Sequence, residues 1–357
     1  LNPQLLTDQF NLPLLAWYDV HGRKDLPWQS PREPYRVWIS EIMLQQTQVQ
    51  TVIPYFERFI QVFPTIHELA QAEEDKVLSL WSGLGYYSRA RNIHRTAKII
   101  SHQYQGFFPL ELPLLIDLPG IGPSTAAAIL SQAFNMPTAI LDGNVKRVLT
   151  RFFRIAGFTE QALVKKTLWD LAHCCMPKQR CADYTQAIMD LGATCCTTKN
   201  PNCFNCPLQE NCQAFKYKEQ TLYPTKKIKK PVPQLQQQFL VLYDERGMIY
   251  LEKRPPTGLW GGLWCLPGID HAICPLTYIK SQYALEGETP QQLIMFKHRF
   301  SHFHLEIKAL SIKIQSLGDQ VAETPGQWVK QEKLSSLGLA KPTSLILSHL
   351  YEETTLI

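Results

Sequence analysis

The sequence predicts an all-α domain followed by a smaller α+β domain, and three observations carry that fold class. Before the middle of the chain, apolar residues recur three and four apart and strand-like alternation is scarce. After residue 234 the texture changes to alternating segments separated by turn residues. Between them, the lysines, prolines and glutamines of 217–234 carry almost no apolar periodicity, as expected of an exposed linker. A chain of 357 residues with 45% hydrophobic content can fill two ordinary cores. The expected organisation is therefore a helical domain over 1–216, a linker over 217–234 and a mixed domain over 235–357.

Composition narrows the function classes. A net charge of +5 permits a polyanionic partner without specifying one. Leu1 to Phe10 carry no charged-then-apolar leader, and the apolar runs are too short to span a bilayer, so a cytoplasmic protein without a membrane partner is expected. Six of the ten cysteines, Cys174, Cys175, Cys181, Cys195, Cys265 and Cys274, follow no ligand spacing and read as reduced thiols.

Taken in chain order, helical periodicity runs over Tyr35 to Phe63 and Ile66 to Leu80. Gly83 to Arg91 then places Tyr86 and Tyr87 in a glycine-flexed turn before two arginines. Tyr86 there is either a half-buried ring with a wet hydroxyl or a wedge that stacks into nucleic acid. The segment Leu118-Pro119-Gly120-Ile121-Gly122-Pro123-Ser124 joins two helical stretches and has the form of a helix–hairpin–helix. Its glycines allow a sharp turn that exposes amides beside a helix N-terminus, a suitable cradle for a phosphate. Further helices are expected over Ser124 to Phe134 and Val145 to Phe153. In the second domain, the run from Gln238 to Arg254 reads as two strands about an Asp244 to Gly247 turn, and the run from His302 to Ile314 as a strand pair or one long strand. Lys226, Lys227, Lys229 and Lys230 in the linker read as a solvated charge run.

Three groups of residues could carry chemistry. Cys196, Cys203, Cys206 and Cys212 lie within seventeen residues, separated by six, two and five. Four thiolates so placed suit either tetrahedral zinc or an iron–sulfur cubane, and spacing does not choose between them. Asp142 precedes a helix and is an ordinary N-cap on sequence alone, yet a capping carboxylate held ionised by helix-end amides can also face a cationic sugar. Glu41 shares a helical face with Val37, Leu44, Gln45 and Gln48, with no other charge between Val37 and Val52. It is either a solvated surface carboxylate or a partly desolvated general acid.

Together these pieces resemble the helix–hairpin–helix DNA glycosylases with an iron–sulfur loop, and among them the MutY-type adenine DNA glycosylases. The carriers are SEIMLQQTQV at Ser40 to Val49, GLGYYSRARN at Gly83 to Asn92, LPGIGPSTAAAILS at Leu118 to Ser131, LDGNVKRV at Leu141 to Val148, and the four cysteines. The resemblance implies one 4Fe-4S cluster on Cys196, Cys203, Cys206 and Cys212, in a loop over 196–212. It implies double-stranded DNA carrying adenine opposite 8-oxoguanine or guanine as substrate, with a monomeric enzyme expected. Glu41 would protonate the flipped adenine, Asp142 would stabilise the oxocarbenium-like sugar, and Asn144 would support Asp142. Gln45 and Gln46 would reach bases or fill the stack, Tyr86 would wedge it, and Gly120 and Gly122 would grip a phosphate. Ser124 stands where the related endonuclease III type has a Schiff-base lysine, so a monofunctional glycosylase is expected.

Arg254 to Pro267 resembles the opening of a Nudix fold, without the glutamate-rich helix or the carboxylates that would hold magnesium. In MutY-type proteins this domain reads the oxidised guanine, and Phe300-Ser301-His302 matches the loop that does so. The alternatives are a thymine-specific mismatch glycosylase and a non-catalytic iron–sulfur damage sensor.

Overall fold

The computed structural model describes residues 6–227, 231–300, 302–317 and 326–354. Ser301, Lys229 and Lys230 lie outside the described residues. Two compact units are present, neither continuous in sequence. The first comprises Leu1–Gln71 and Asn92–Lys229, the second Ala72–Arg91 and Lys230–Ile357.

The first unit is helical, as expected. Phe10, Leu14 and Tyr18 from the N-terminal stretch pack with Val148, Leu149 and Phe152 in one core, where the Phe10 and Phe152 rings meet edge to face at 4.9 Å. The Pro34–Leu44 helix begins with proline in its first turn, where the missing amide hydrogen costs nothing. Val37, Trp38, Ile39, Ile42 and Met43 are buried along it, so the helix is enclosed on most sides. It packs against the Pro123–Phe134 helix, whose buried Ala126, Ala127 and Ala128 let two backbones approach closely.

The single long helical run expected over Tyr35 to Phe63 is two helices, Pro34–Leu44 and Val49–Val62. The break falls in the glutamine-rich turn 45–48, with Gln46 in the left-handed region at φ 59°. No glycine or proline marks it, so only packing decided where it fell. Likewise the run over Ile66 to Leu80 divides into Ile66–Gln71 and Glu74–Trp81. The Cys181–Asp190 helix continues into a π-helical turn, Leu191–Cys195.

In the second unit, strands β1 (Gln234–Tyr243) and β2 (Ile249–Lys253) form the expected hairpin. The Asp244 carboxylate closes its turn by accepting the amides of Arg246 and Met248 at 3.0 and 2.8 Å. β3 (Trp264–Cys265) and β4 (Gly268–Asp270) follow, then a Pro275–Tyr283 helix, β5 (Leu285–Gly287), β6 (Gln291–Arg299) and β7 (His304–Leu317). The second strand-like run is thus one long strand. β7 pairs in parallel with β1, from Gln234 opposite His304 to Tyr243 opposite Lys313, and antiparallel with β6. The sheet order is β3-β2-β1-β7-β5, with β4 on β1, β6 on β7, and β8 (Gly326–Val329) on β2. Leu240, Leu242, Ile279, Tyr283 and Ile312 fill the core under the helix.

The expected boundaries need two corrections. Residues 72–91 belong with the C-terminal unit, because Asp75 accepts from Lys253 Nζ at 2.9 Å and Trp264 Nε1 at 3.2 Å, and Ser82 donates to the Leu339 carbonyl at 3.4 Å. The beginning of the 217–234 linker is docked on the first unit: Arg151 donates to the carbonyls of Gln220 and Tyr223 at 2.9 and 3.1 Å, and Arg154 pairs with Glu219.

One buried charge organises the helical unit. The fully buried Asp190 carboxylate accepts from the Arg23 amide at 2.8 Å, the Arg23 guanidinium at 2.7 and 2.9 Å, and Gln186 at 2.8 Å. Removing it strands these donors, so Asp190→Ala should destabilise the helical unit by about 3 kcal/mol. Urea unfolding followed by circular dichroism checks this.

Candidate active site

The two candidate carboxylates, far apart in sequence, line one cavity of about 700 Å³ in the helical unit, together with Gln45, Gln48, Ser124 and Asn144. Glu41 reaches it from the Pro34–Leu44 helix and accepts from Gln132 Nε2 at 3.0 Å. Burial pushes its carboxyl up to about 7, the negative charge of Asp142 adds to the rise, and the Gln132 hydrogen bond opposes it. The reading as a solvated surface carboxylate does not survive this placement.

Asp142 caps the Gly143–Phe152 helix, its Oδ1 accepting the Val145 amide at 2.8 Å. Its Oδ2 accepts from Asn144 Nδ2 at 3.2 Å. Burial raises its pKa, against which the Val145 and Asn144 hydrogen bonds and the Arg147 charge pull down. Capping and facing the cavity are therefore not alternatives: one carboxylate does both. Its charge in turn adds to the rise at Glu41.

Ser124 also lines the cavity, and its Oγ accepts the Leu141 amide at 3.1 Å, holding the strand of chain that leads into Asp142. In the hairpin, Gly120 and Gly122 are exposed, and Gly120 has φ +79° with Asn92 so near that a Cβ would lie 2.8 Å from it. The Ile121 amide is already bonded to the Leu118 carbonyl at 3.1 Å, leaving fewer free donors there than expected. Gln45 lies in the cavity wall while Gln46 is exposed at the tip of its turn.

Sequence reasoning gave no role to Gln132 or Arg147. Arg147 Nη2 donates to Asn144 Oδ1 at 2.8 Å and to the Gly192 carbonyl at 2.6 Å, and its Nε to the Cys196 carbonyl at 2.7 Å. Gly192 lies so close to Asn144 that a Cβ would stand 2.6 Å from the asparagine Cβ, so only glycine lets the π-helical turn approach. The arginine lies inside the LDGNVKRV segment, but nothing in sequence shows that it reaches a residue 49 positions away.

Beyond that arginine, Cys196, Cys203, Cys206 and Cys212 line a common cavity with Arg151. Buried Arg151 donates to the Cys196 sulfur at 3.3 Å and to the Thr197 carbonyl at 2.7 Å. Burial pushes the Cys212 thiol up to about 11 and raises Cys196, where Arg151 acts in the opposite sense. Four soft donors beside a fixed cation fit a group that binds as thiolates. Among the described residues no group of three or more His, Cys, Asp or Glu is placed to hold a metal ion. Cys195 is buried and its thiol donates to the Asn202 carbonyl at 3.2 Å, a structural place.

The remaining site residues belong to the second unit. Tyr86 is 49% exposed at φ 49°, its ring over the Arg89 guanidinium at 5.5 Å. Tyr86, Phe300 and His302 line one cavity of about 600 Å³ there. The Pro275–Tyr283 helix carries no carboxylate, in keeping with the missing magnesium ligands. No helix among the described residues is long and apolar enough to cross a membrane.

Residues 39–174 match the HhH-GPD superfamily of base excision DNA repair proteins, and residues 238–349 match the NUDIX domain. An adenine DNA glycosylase of Buchnera aphidicola subsp. Schizaphis graminum is 41% identical over 95% of this chain and 97% of its own. Another, from Buchnera aphidicola subsp. Acyrthosiphon pisum, is 40% identical over 95% and 97%. Among solved structures, a thermostable thymine-DNA glycosylase matches 60% of this chain and 98% of its own at 26% identity and a TM-score of 0.55.

The native protein holds the Glu41 proton up to about 7, whereas an unfolded glutamate releases it near 4.5. Stability is therefore lost as pH rises between those values. Glu41→Gln, which keeps an acceptor for Gln132, should raise the thermal midpoint at pH 8 more than at pH 5, as scanning calorimetry at the two pH values will measure.

Proposed function

The chain belongs to the adenine DNA glycosylases, hydrolases of base excision repair, and we propose that it releases adenine standing opposite 8-oxoguanine or guanine in duplex DNA. The observation that carries this reading is the single cavity in which a carboxyl raised to about 7 by burial stands with a second, helix-capping carboxylate.

In this reading the target adenine leaves the stack and enters the Glu41–Asp142 cavity. Glu41, still protonated near neutrality, gives its proton to the imidazole-edge nitrogen of the base. The glycosidic C–N bond then breaks, and its electron pair leaves with neutral adenine. The Asp142 carboxylate stabilises the cationic sugar, through a transient ester as in retaining glycosidases, with Asn144 holding its second oxygen. Glu41, now a carboxylate, takes a proton from the incoming water. Among the described residues no lysine lines the cavity, and Ser124 cannot form an imine, so the product is an intact strand with an abasic site.

Gln45 and Gln46 occupy the gap left by the base, and the exposed Gly120 and Gly122 hairpin takes a backbone phosphate without reading sequence. The four cysteines would hold one 4Fe-4S cluster, which supplies a folded scaffold rather than bond-making, since four thiolates complete its ligand set. Exposed Lys199, between the first two ligands, adds positive charge for phosphates. The Nudix-like unit lacks the acids for hydrolysis and reads the purine opposite the adenine through Phe300, Ser301 and His302, beside the Tyr86 wedge.

A glycosylase assay on duplexes with adenine, thymine or uracil opposite 8-oxoguanine tests this, with and without alkali. Adenine release with strand breaks only after alkali is expected; thymine release, or breaks without alkali, overturns it. Asp142→Asn should keep duplex binding while slowing base release by roughly a thousandfold or more. Arg147→Met should slow release by roughly tenfold at unchanged affinity for DNA, because the asparagine that orients Asp142 loses its anchor. Single-turnover kinetics beside gel-shift titrations separate the two quantities.

A further inference from the structure

The cavity of about 600 Å³ in the second unit has two walls from distant parts of the sequence, the Gly83–Tyr87 hairpin and the Gly258–Gly261 turn. One side chain spans them. Arg91, in the first turn of the helix that follows the hairpin, donates through Nη2 to the Pro256 carbonyl at 2.9 Å and through Nη1 to the Gly261 carbonyl. A planar guanidinium fork on two carbonyls fixes both distance and angle, which a single ammonium cannot do.

The turn it holds is tightly wound: the Gly262 amide bonds to the carbonyls of Arg254 and Pro255 at 3.2 and 3.0 Å, and the Leu263 amide to that of Trp260 at 3.0 Å. At its centre Trp260 adopts φ +54°, a conformation costly for a bulky side chain and kept only where the surroundings enforce it. The result is an aromatic wall. Trp260 stands 5.6 Å from Phe300 and 6.2 Å from His298, and His298 meets Phe300 edge to face at 4.6 Å. The opposite wall is equally braced, with Arg89 donating to the Leu84 and Gly85 carbonyls beneath the Tyr86 ring.

Resting on the reading that this cavity meets the purine opposite the adenine, we propose that Arg91 is its positioning residue and Trp260 a wall that determines specificity. By clamping the Trp260 turn to the Tyr86 hairpin, Arg91 makes insertion of the wedge and inspection of the opposite purine one event rather than two. A planar purine is the ligand class such a wall accepts. Without the clamp the wedge still inserts, but the wall no longer stands at a defined distance from it.

The test compares single-turnover adenine release from duplexes with 8-oxoguanine or guanine opposite the adenine, using the full-length protein. Arg91→Met should lower the ratio of the two rates by roughly tenfold, the scale of a misplaced contact. Arg91→Lys should fall between it and the parent protein. Trp260→Ala should lower the ratio as well, and the double variant should lose little more than either single one. Phe300→Ala runs in parallel to report on the cavity itself. If Phe300→Ala loses discrimination while Arg91→Met keeps it, or if the Arg91 and Trp260 losses add, the clamp is overturned and the cavity's role stands. If neither Phe300→Ala nor Trp260→Ala changes the ratio, the assignment of the cavity to the opposite purine falls. Should Arg91→Met not fold, Arg91→Lys carries the same test, and a parental ratio in it overturns the clamp.

Discussion

The cap that Asp142 places on the Gly143–Phe152 helix is the interaction on which the geometry of the helical unit's cavity depends. Burial raises the pKa of this carboxylate. The Val145 amide, the Asn144 side chain and the Arg147 charge oppose that rise from fixed positions. The Asp142 charge then acts on Glu41 across the cavity and helps to retain its proton. Two side chains with nearly the same intrinsic acidity thereby stand in one cavity in different electrostatic surroundings.

The cap is itself held from behind. Arg147 joins Asn144 to the Gly192 and Cys196 carbonyls, and Arg151 joins Cys196 to the chain that leaves the cysteine loop. The close approach at Gly192 and the π-helical turn that contains it bring these pieces together. The cysteine loop can thus brace the cavity wall from behind. On the far side of the cavity, the buried Asp190 fixes Arg23 and Gln186, both of which line it.

The Nudix-like unit carries its cavity on a mixed sheet with one packed helix. Strand order, the parallel β1 and β7 pair and the packed Pro275–Tyr283 helix are in place, yet that helix presents no carboxylate for a cation. Aromatic side chains at the β6 to β7 connection, with the 72–91 segment beside them, form the cavity instead. Function here belongs to a site carried by a fold rather than to the fold.

By itself the sequence determined the helical and mixed fold classes, the hairpin at Asp244 to Gly247 and the cap at Asp142, and it offered the four cysteines as candidate ligands. Each rests on short-range chemistry: periodicity, turn residues, ligand spacing. Only the tertiary structure decided that the long helix breaks at 45–48, that 72–91 joins the C-terminal unit, and that Arg147, Gln132 and Arg91 have partners 49, 91 and 170 positions away. The physical reason is the same in each case. A hydrogen bond to a distant carbonyl or carboxylate leaves no trace in local composition, and the desolvation that raises Glu41 exists only once its helix is enclosed by the rest of the chain.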